Sequence, residues 1–165
     1  MQPLIVLVTV TLLLRVVGAA GATGLGSWPA ALRGGLAAMF VLTGTSHFVG
    51  MREELISMVP PVLPEPGLLI TLTGVLELAG AFGLLLPRTV AWAAGGLTAL
   101  LVAMFPANVY AALSGAAMES AQTMALFPRT LVQLVFLAAT ITVLRAYGPR
   151  RKAAPAAVAP SYTAF

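Results

Sequence analysis

Five apolar runs follow one another along this 165-residue chain, at positions 4–22, 30–49, 67–86, 90–111 and 126–147. At about 1.5 Å of helical rise per residue, each is long enough to cross a hydrocarbon core of about 30 Å. Inside lipid every backbone N–H and C=O must be paired within the protein, so runs of this kind take the form of helices. The short alternating segments of a barrel are absent. Only 8% of residues are charged and 59% are hydrophobic, too little polar surface to cover a fold in water. The expected fold is all-α, a polytopic transmembrane bundle of five spans, with 1–148 as a single membrane domain. A basic, Ala/Pro-rich tail at 149–165 is expected to be disordered.

The net charge of +4 does not point to nucleic acid, because the basic residues are dispersed at the ends of apolar runs rather than gathered on one face. With five spans, Arg33, Arg88, Arg145, Arg150, Arg151 and Lys152 fall on one side of the membrane, and Arg52 and Arg129 on the other. The positive-inside rule then places the N-terminus outside and the C-terminus in the cytoplasm of a bacterial plasma membrane. The first run competes with a cleaved signal peptide, but it lacks the positive n-region of one, and retention as a helix is the expectation. There is no cysteine, which rules out disulfides, thiol relays and cysteine-ligated metal within this chain.

Between the second and third runs lies the most unusual stretch of the chain. It holds the only histidine, His47, an amphipathic turn at Met51 to Val59, and the prolines Pro60, Pro61, Pro64 and Pro66, which forbid regular helix and favour a stiff extended path. Ser27 and Pro29 read as the N-cap and first turn of the second run. Pro87 to Thr89 is short enough to make the third and fourth runs an antiparallel hairpin. The fourth run carries Phe105-Pro106-Ala107-Asn108 near its far end, where proline should kink the helix and free a carbonyl. Counting rise from the run ends, His47 and Asn108 lie about 4 to 5 Å below the outer surface and can meet. Glu77 and Arg15 both come out about 15 to 17 Å deep, and are expected to pair.

The stretch from Leu32 to Ala112 resembles the DoxX-type bacterial membrane proteins. It carries the His47-Phe48 pair, the proline-rich connector, the Thr73-Gly74-Val75-Leu76-Glu77-Leu78 segment and the Phe105-to-Asn108 element in their order. The resemblance implies a four-helix core to which the first run is an addition. One archetype of that group is the small subunit of a thiosulfate:quinone oxidoreductase, and other members are associated with membrane oxidoreductase complexes. By motif position the matching residues are His47, Glu77, Pro106 and Asn108.

Each candidate has two readings. An unpaired Glu77 inside the membrane costs about 2.5 to 3.5 kcal/mol, so it is either a proton-accepting or ligand-anchoring carboxyl, or a structural group paired with Arg15 or bonded to Thr73. His47 is either a ligand for a quinone carbonyl or a capping residue bonded to Asn108 or to the carbonyls Pro106 frees. Arg52, Glu53 and Glu54 read as a solvated face. Arg15, Pro60, Pro61, Pro64 and Pro106 read as structural, and one histidine without cysteine or aspartate provides no metal site.

Two functions remain open. The chain is an accessory or quinone-interacting subunit of a membrane oxidoreductase, with His47, Thr73, Glu77 and Asn108 as the ligand site and no cofactor of its own beyond a bound quinone. Alternatively it is a non-catalytic protein that binds lipophilic molecules or scaffolds partners. Membrane lipid, an oxidoreductase partner subunit and a second copy of the chain are the expected partners. No inverted repeat is visible, which argues against an alternating-access carrier.

Overall fold

The computed structural model describes residues 1–113 and 126–149. The expected polar link at 114–123 and the tail from Arg150 onward lie outside the described residues. Six helices follow in order: α1 Gln2–Ala19, α2 Trp28–Ser46, α3 Arg52–Ser57, α4 Pro66–Leu85, α5 Val90–Leu113 and α6 Leu126–Tyr147. Local sequence accounts for most of their ends. The Ser27 hydroxyl accepts from the Ala30 N–H at 3.3 Å, and Pro29 occupies the first turn of α2, where a missing N–H costs nothing. Thr89 Oγ1 donates to the Gly83 carbonyl at 2.8 Å, which closes the turn from α4 into α5. Gly50 turns the chain out of α2 at a φ of 82°, and Glu65, held between Pro64 and Pro66, takes a left-handed φ of 49° as the cap of α4.

Helices α2, α4, α5 and α6 form a closed ring in which each packs on the next, with α1 laid against the outer side of α2. Neighbours run antiparallel. Leu14 meets Gly34 and Thr11 meets Gly35 across the α1/α2 pair, and Gly44 faces Leu78 and Glu77 across α2/α4. Without a side chain at these glycines the backbones approach closely, the usual device where lipid offers helices no hydrophobic force to associate. The core is Leu36, Met39 and Phe40 of α2, Leu84 of α4, Leu97 of α5 and Val143 of α6. The outward faces are strongly apolar. Trp92 is 84% exposed and Phe127 76%, a surface suited to lipid rather than to water.

Among the described residues four helices, α1, α4, α5 and α6, are long and apolar enough to cross a membrane. Helix α2, the expected second span, is not among them. Its hub position gives the reason: it is enclosed by α1, α4 and α6, so its surface is written in alanine, glycine and threonine for close packing rather than in lipid-facing leucine. The expected short amphipathic turn is α3, and α5 runs through Pro106 as one continuous helix.

Candidate functional site

At the end of the ring where α2 finishes and α4 begins, α3 and the proline-rich coil lie over the bundle. Their fastening is Arg52. Its Nη1 donates to the His47 carbonyl at 3.1 Å, and Nη2 donates to the Gly67 carbonyl at 3.2 Å and to Thr71 Oγ1 at 3.0 Å. The expectation that Arg52 belongs to a solvated face is therefore corrected. Its planar guanidinium, with several donors in fixed directions, ties the end of α2 to the first two turns of α4.

Beneath α3 are two adjoining chambers. The first, about 250 Å³, is lined by Gln2 of α1 and by Thr43, Ser46, His47, Glu77, Asn108 and Gln133 among apolar neighbours from α1, α2, α3, α5 and α6. The second, about 240 Å³, is mainly apolar, with Met58, Val59, Leu63, Leu69 and Ala103 around Thr73. His47, Leu55, Met104 and Asn108 belong to the walls of both. Of the four expected site residues, His47, Glu77 and Asn108 thus share one chamber, while Thr73 lies in the other.

His47 ends α2 and is 3% exposed, with the backbone of Gly74 against it. Its Nδ1 lies 2.9 Å from the Thr43 carbonyl, and its Nε2 is buried without a partner. It makes none of the expected bonds to Asn108. Instead the Asn108 Oδ1 accepts a long bond, 3.4 Å, from Arg129 Nη1 at the start of α6. Glu77 is 4% exposed. Thr43 is its side-chain hydrogen-bond partner, and its Oε2 has none. Thr73 is no partner to it, because the Thr73 hydroxyl donates to its own helix, to Leu69 at 2.9 Å and Ile70 at 3.1 Å.

The expected pairing of Glu77 with Arg15 does not form. Arg15 Nη1 donates to the Gly26 carbonyl at 2.6 Å and its guanidinium stacks 4.9 Å from the Trp28 ring, in the α1/α2 hairpin. Measured along α2, the Leu14 contact is at Gly34 and the Glu77 contact at Gly44, ten residues or about 15 Å apart. The depth count fails because the helices do not start level. His47 packs on Gly74, eight residues or about 12 Å below the start of α4 at Pro66, so α4 rises about two turns above the end of α2.

Gln2, Thr43, Ser46 and Gln133 of the first chamber go unnoticed in the sequence reading. Gln133 Nε2 donates to the Leu101 carbonyl at 2.7 Å, joining α6 to α5 one residue from the Val102 carbonyl that Pro106 cannot serve. Its signal is plain in retrospect, an uncharged amide alone in an apolar run. Thr43 stands four residues before His47, the spacing that places one residue over the other on a helix. Among the described residues no cluster of three or more His, Asp or Glu is arranged to hold a metal ion.

A ring of antiparallel apolar helices with lipid-facing side chains outside and a buried polar chamber inside defines a helical membrane protein with an internal ligand-sized site. Residues 36–144 match the family described as a domain of unknown function, DUF8561, and the chain belongs to that family. The match begins within α2 and ends within α6, so it covers the ring and leaves α1 outside. No curated protein and no solved structure matches the chain.

Proposed function

We propose that this protein holds a lipid-soluble carrier of the quinone class in the chambers beneath α3 and serves as an accessory subunit of a membrane oxidoreductase assembly. The observation that carries this reading is that His47 and Glu77, both in the wall of one chamber, each carry a buried polar atom without a protein partner. A buried group left unsatisfied costs on the order of 1 to 3 kcal/mol, so two in one cavity favour a site completed by a ligand. The polar set fits such a head group: His47, Glu77, Asn108 and Gln133 can form hydrogen bonds with oxygen or hydroxyl groups on a ring, and the apolar second chamber suits the first part of an isoprenoid tail. The carrier, when bound, supplies two-electron, two-proton redox chemistry. The residues of this chain bind and orient its head, and α3 with Arg52 screens it from water.

The same reading takes α2 as a fifth span and the ring as the DoxX-like four-helix core, with α1 added to it. Arg33, Arg88 and Arg145 at the end opposite the chambers support an orientation with that end in the bacterial cytoplasm and the chambers near the outer surface of the plasma membrane. Arg15, bonded at the α1/α2 turn, adds to the same end.

The test is binding of a short-chain quinone and its quinol to the full-length protein in nanodiscs. Saturable binding that weakens at least about tenfold in His47→Ala and Glu77→Ala, with folding intact, is the expected result. No saturable binding of either form overturns the reading. A second reading, a scaffold or lipid-binding protein without a carrier, is favoured by the apolar groove of about 570 Å³ between α4 and α5, where Leu76, Phe82, Leu86, Gly96 and Leu100 line a surface suited to an acyl chain or a partner helix.

A further inference from the structure

The hydrogen-bond polarity of the first chamber can be read from its partners. A carbonyl oxygen only accepts, so the 2.9 Å contact to Thr43 requires the proton of the His47 ring on Nδ1. In the neutral ring the unpartnered Nε2 is then a lone pair, an acceptor. Glu77 accepts with both oxygens as a carboxylate. As an acid, with the Thr43 hydroxyl committed to the Met39 carbonyl at 3.3 Å, it gives its own proton to Thr43 and leaves the unpartnered oxygen as an acceptor.

Two of the neighbouring donors are committed to backbone. The Ser46 hydroxyl donates to the same Thr43 carbonyl at 2.6 Å, and Gln133 gives an amide hydrogen to Leu101 at 2.7 Å. Gln133 therefore keeps an oxygen to offer, and Ser46 a lone pair. The donors that remain are amides, those of Asn108, whose oxygen accepts from Arg129, of Gln2, and the second amide hydrogen of Gln133, whereas His47 and Glu77 leave acceptors.

Resting on the carrier reading above, we infer that the chamber is built for a head group that arrives as a hydrogen-bond donor, the hydroxyl-bearing hydroquinone form rather than the oxidised quinone. A quinone ring brings two carbonyl oxygens, which repel the lone pairs of His47 and Glu77 and leave both atoms unsatisfied. A hydroquinone presents two O–H groups that satisfy them. The two-chamber shape orients the molecule, with the hydroxylated ring beside Glu77 and Gln133 and its tail leaving past Leu69, Leu63 and Ala103 under the proline-rich coil.

The experiment compares three probes on one carbon skeleton in nanodiscs: a short-chain hydroquinone kept reduced, the corresponding quinone, and the hydroquinone dimethyl ether, which has the same ring and no O–H. The expected order is hydroquinone tighter than either other probe by about tenfold or more. In Glu77→Gln, which replaces an acceptor oxygen by an amide donor, the ratio of quinone to hydroquinone affinity should rise about tenfold, a change that a merely structural carboxyl would not produce. Where that variant does not assemble, the ether comparison on the wild-type protein decides alone. Quinone or ether binding as tightly as hydroquinone overturns the inference while leaving the carrier reading standing. An unmoved ratio in a folded Glu77→Gln protein also overturns it. Absence of binding by all three removes both.

Discussion

Arg52 and Thr71 meet 3.0 Å apart across the junction of α3 and α4, and the same guanidinium holds the last carbonyl of the α2 end, that of His47, at 3.1 Å. One side chain thereby fixes how a 19-residue stretch between two long helices lies over the chambers. Replacing it by alanine leaves the Gly67 and His47 carbonyls without these donors, and the expected destabilisation is about 2 kcal/mol. Arg52→Lys should recover little, because a single ammonium cannot address three acceptors from one plane. Unfolding titrations in mixed micelles check the loss. Hydrogen exchange should show the 47–66 amides opening before those of α4 and α5, and a lysine variant with wild-type protection would contradict the fork geometry.

The seat of His47 is equally specific. A Cβ at Gly74 would stand 2.6 Å from the His47 Cβ and 2.9 Å from the Phe48 ring. Gly74→Ala should cost about 1 to 3 kcal/mol and displace His47 from its bond to Thr43. Gly96→Ala is the matched control on α5. A methyl there meets nothing within 4 Å, and the gain in helix propensity makes it neutral or stabilising by up to about 1 kcal/mol. Equal thermal shifts for the two variants in detergent would mean that α2 and α4 do not approach at Gly74.

Much of this fold is written locally in the chain. Ser27 with Pro29, the Pro87-to-Thr89 turn and the amphipathic Arg52-to-Ser57 segment each act through neighbours a few residues away, and each forms as its sequence suggests. What sequence alone could not supply is the relative height of the helices. His47 and Asn108 come together because both lie near the same end of their helices. Glu77 and Arg15 part because that count took the starts of α1 and α4 as level, whereas the connector lifts the first turns of α4 above the end of α2. Arg52 looked like a surface charge for the same reason, since the carbonyl and hydroxyl it binds are 15 and 19 residues away.

That parting is measurable. If Arg15 and Glu77 belong to opposite ends of α2, their effects on stability are independent. A cycle of Arg15→Gln, Glu77→Gln and the double variant should close to within about 0.5 kcal/mol. A coupling of 1 kcal/mol or more would restore the ion pair and displace Arg15 from the Gly26 carbonyl. Ligand binding gives a second readout, since Arg15→Gln should leave it unchanged while Glu77 variants do not.

Gln133 carries the shorter of two polar links between α5 and α6, the other being the 3.4 Å bond from Arg129 to Asn108. Its amide nitrogen, 2.7 Å from the Leu101 carbonyl, is buried, with the Gln133 side chain 7% exposed. Gln133→Leu keeps the volume and removes the bond, and hydrogen bonds between membrane helices of this kind are worth about 0.6 kcal/mol on average and seldom more than about 1.7. The expected loss is therefore about 1 kcal/mol. Gln133→Glu should cost more, because an ionised carboxyl would set an acceptor against the Leu101 acceptor and bury a charge beside it. Unfolding titrations of the two variants in the same micelles give the comparison. A Gln133→Glu protein as stable as Gln133→Leu would show that the Leu101 carbonyl is not held by residue 133.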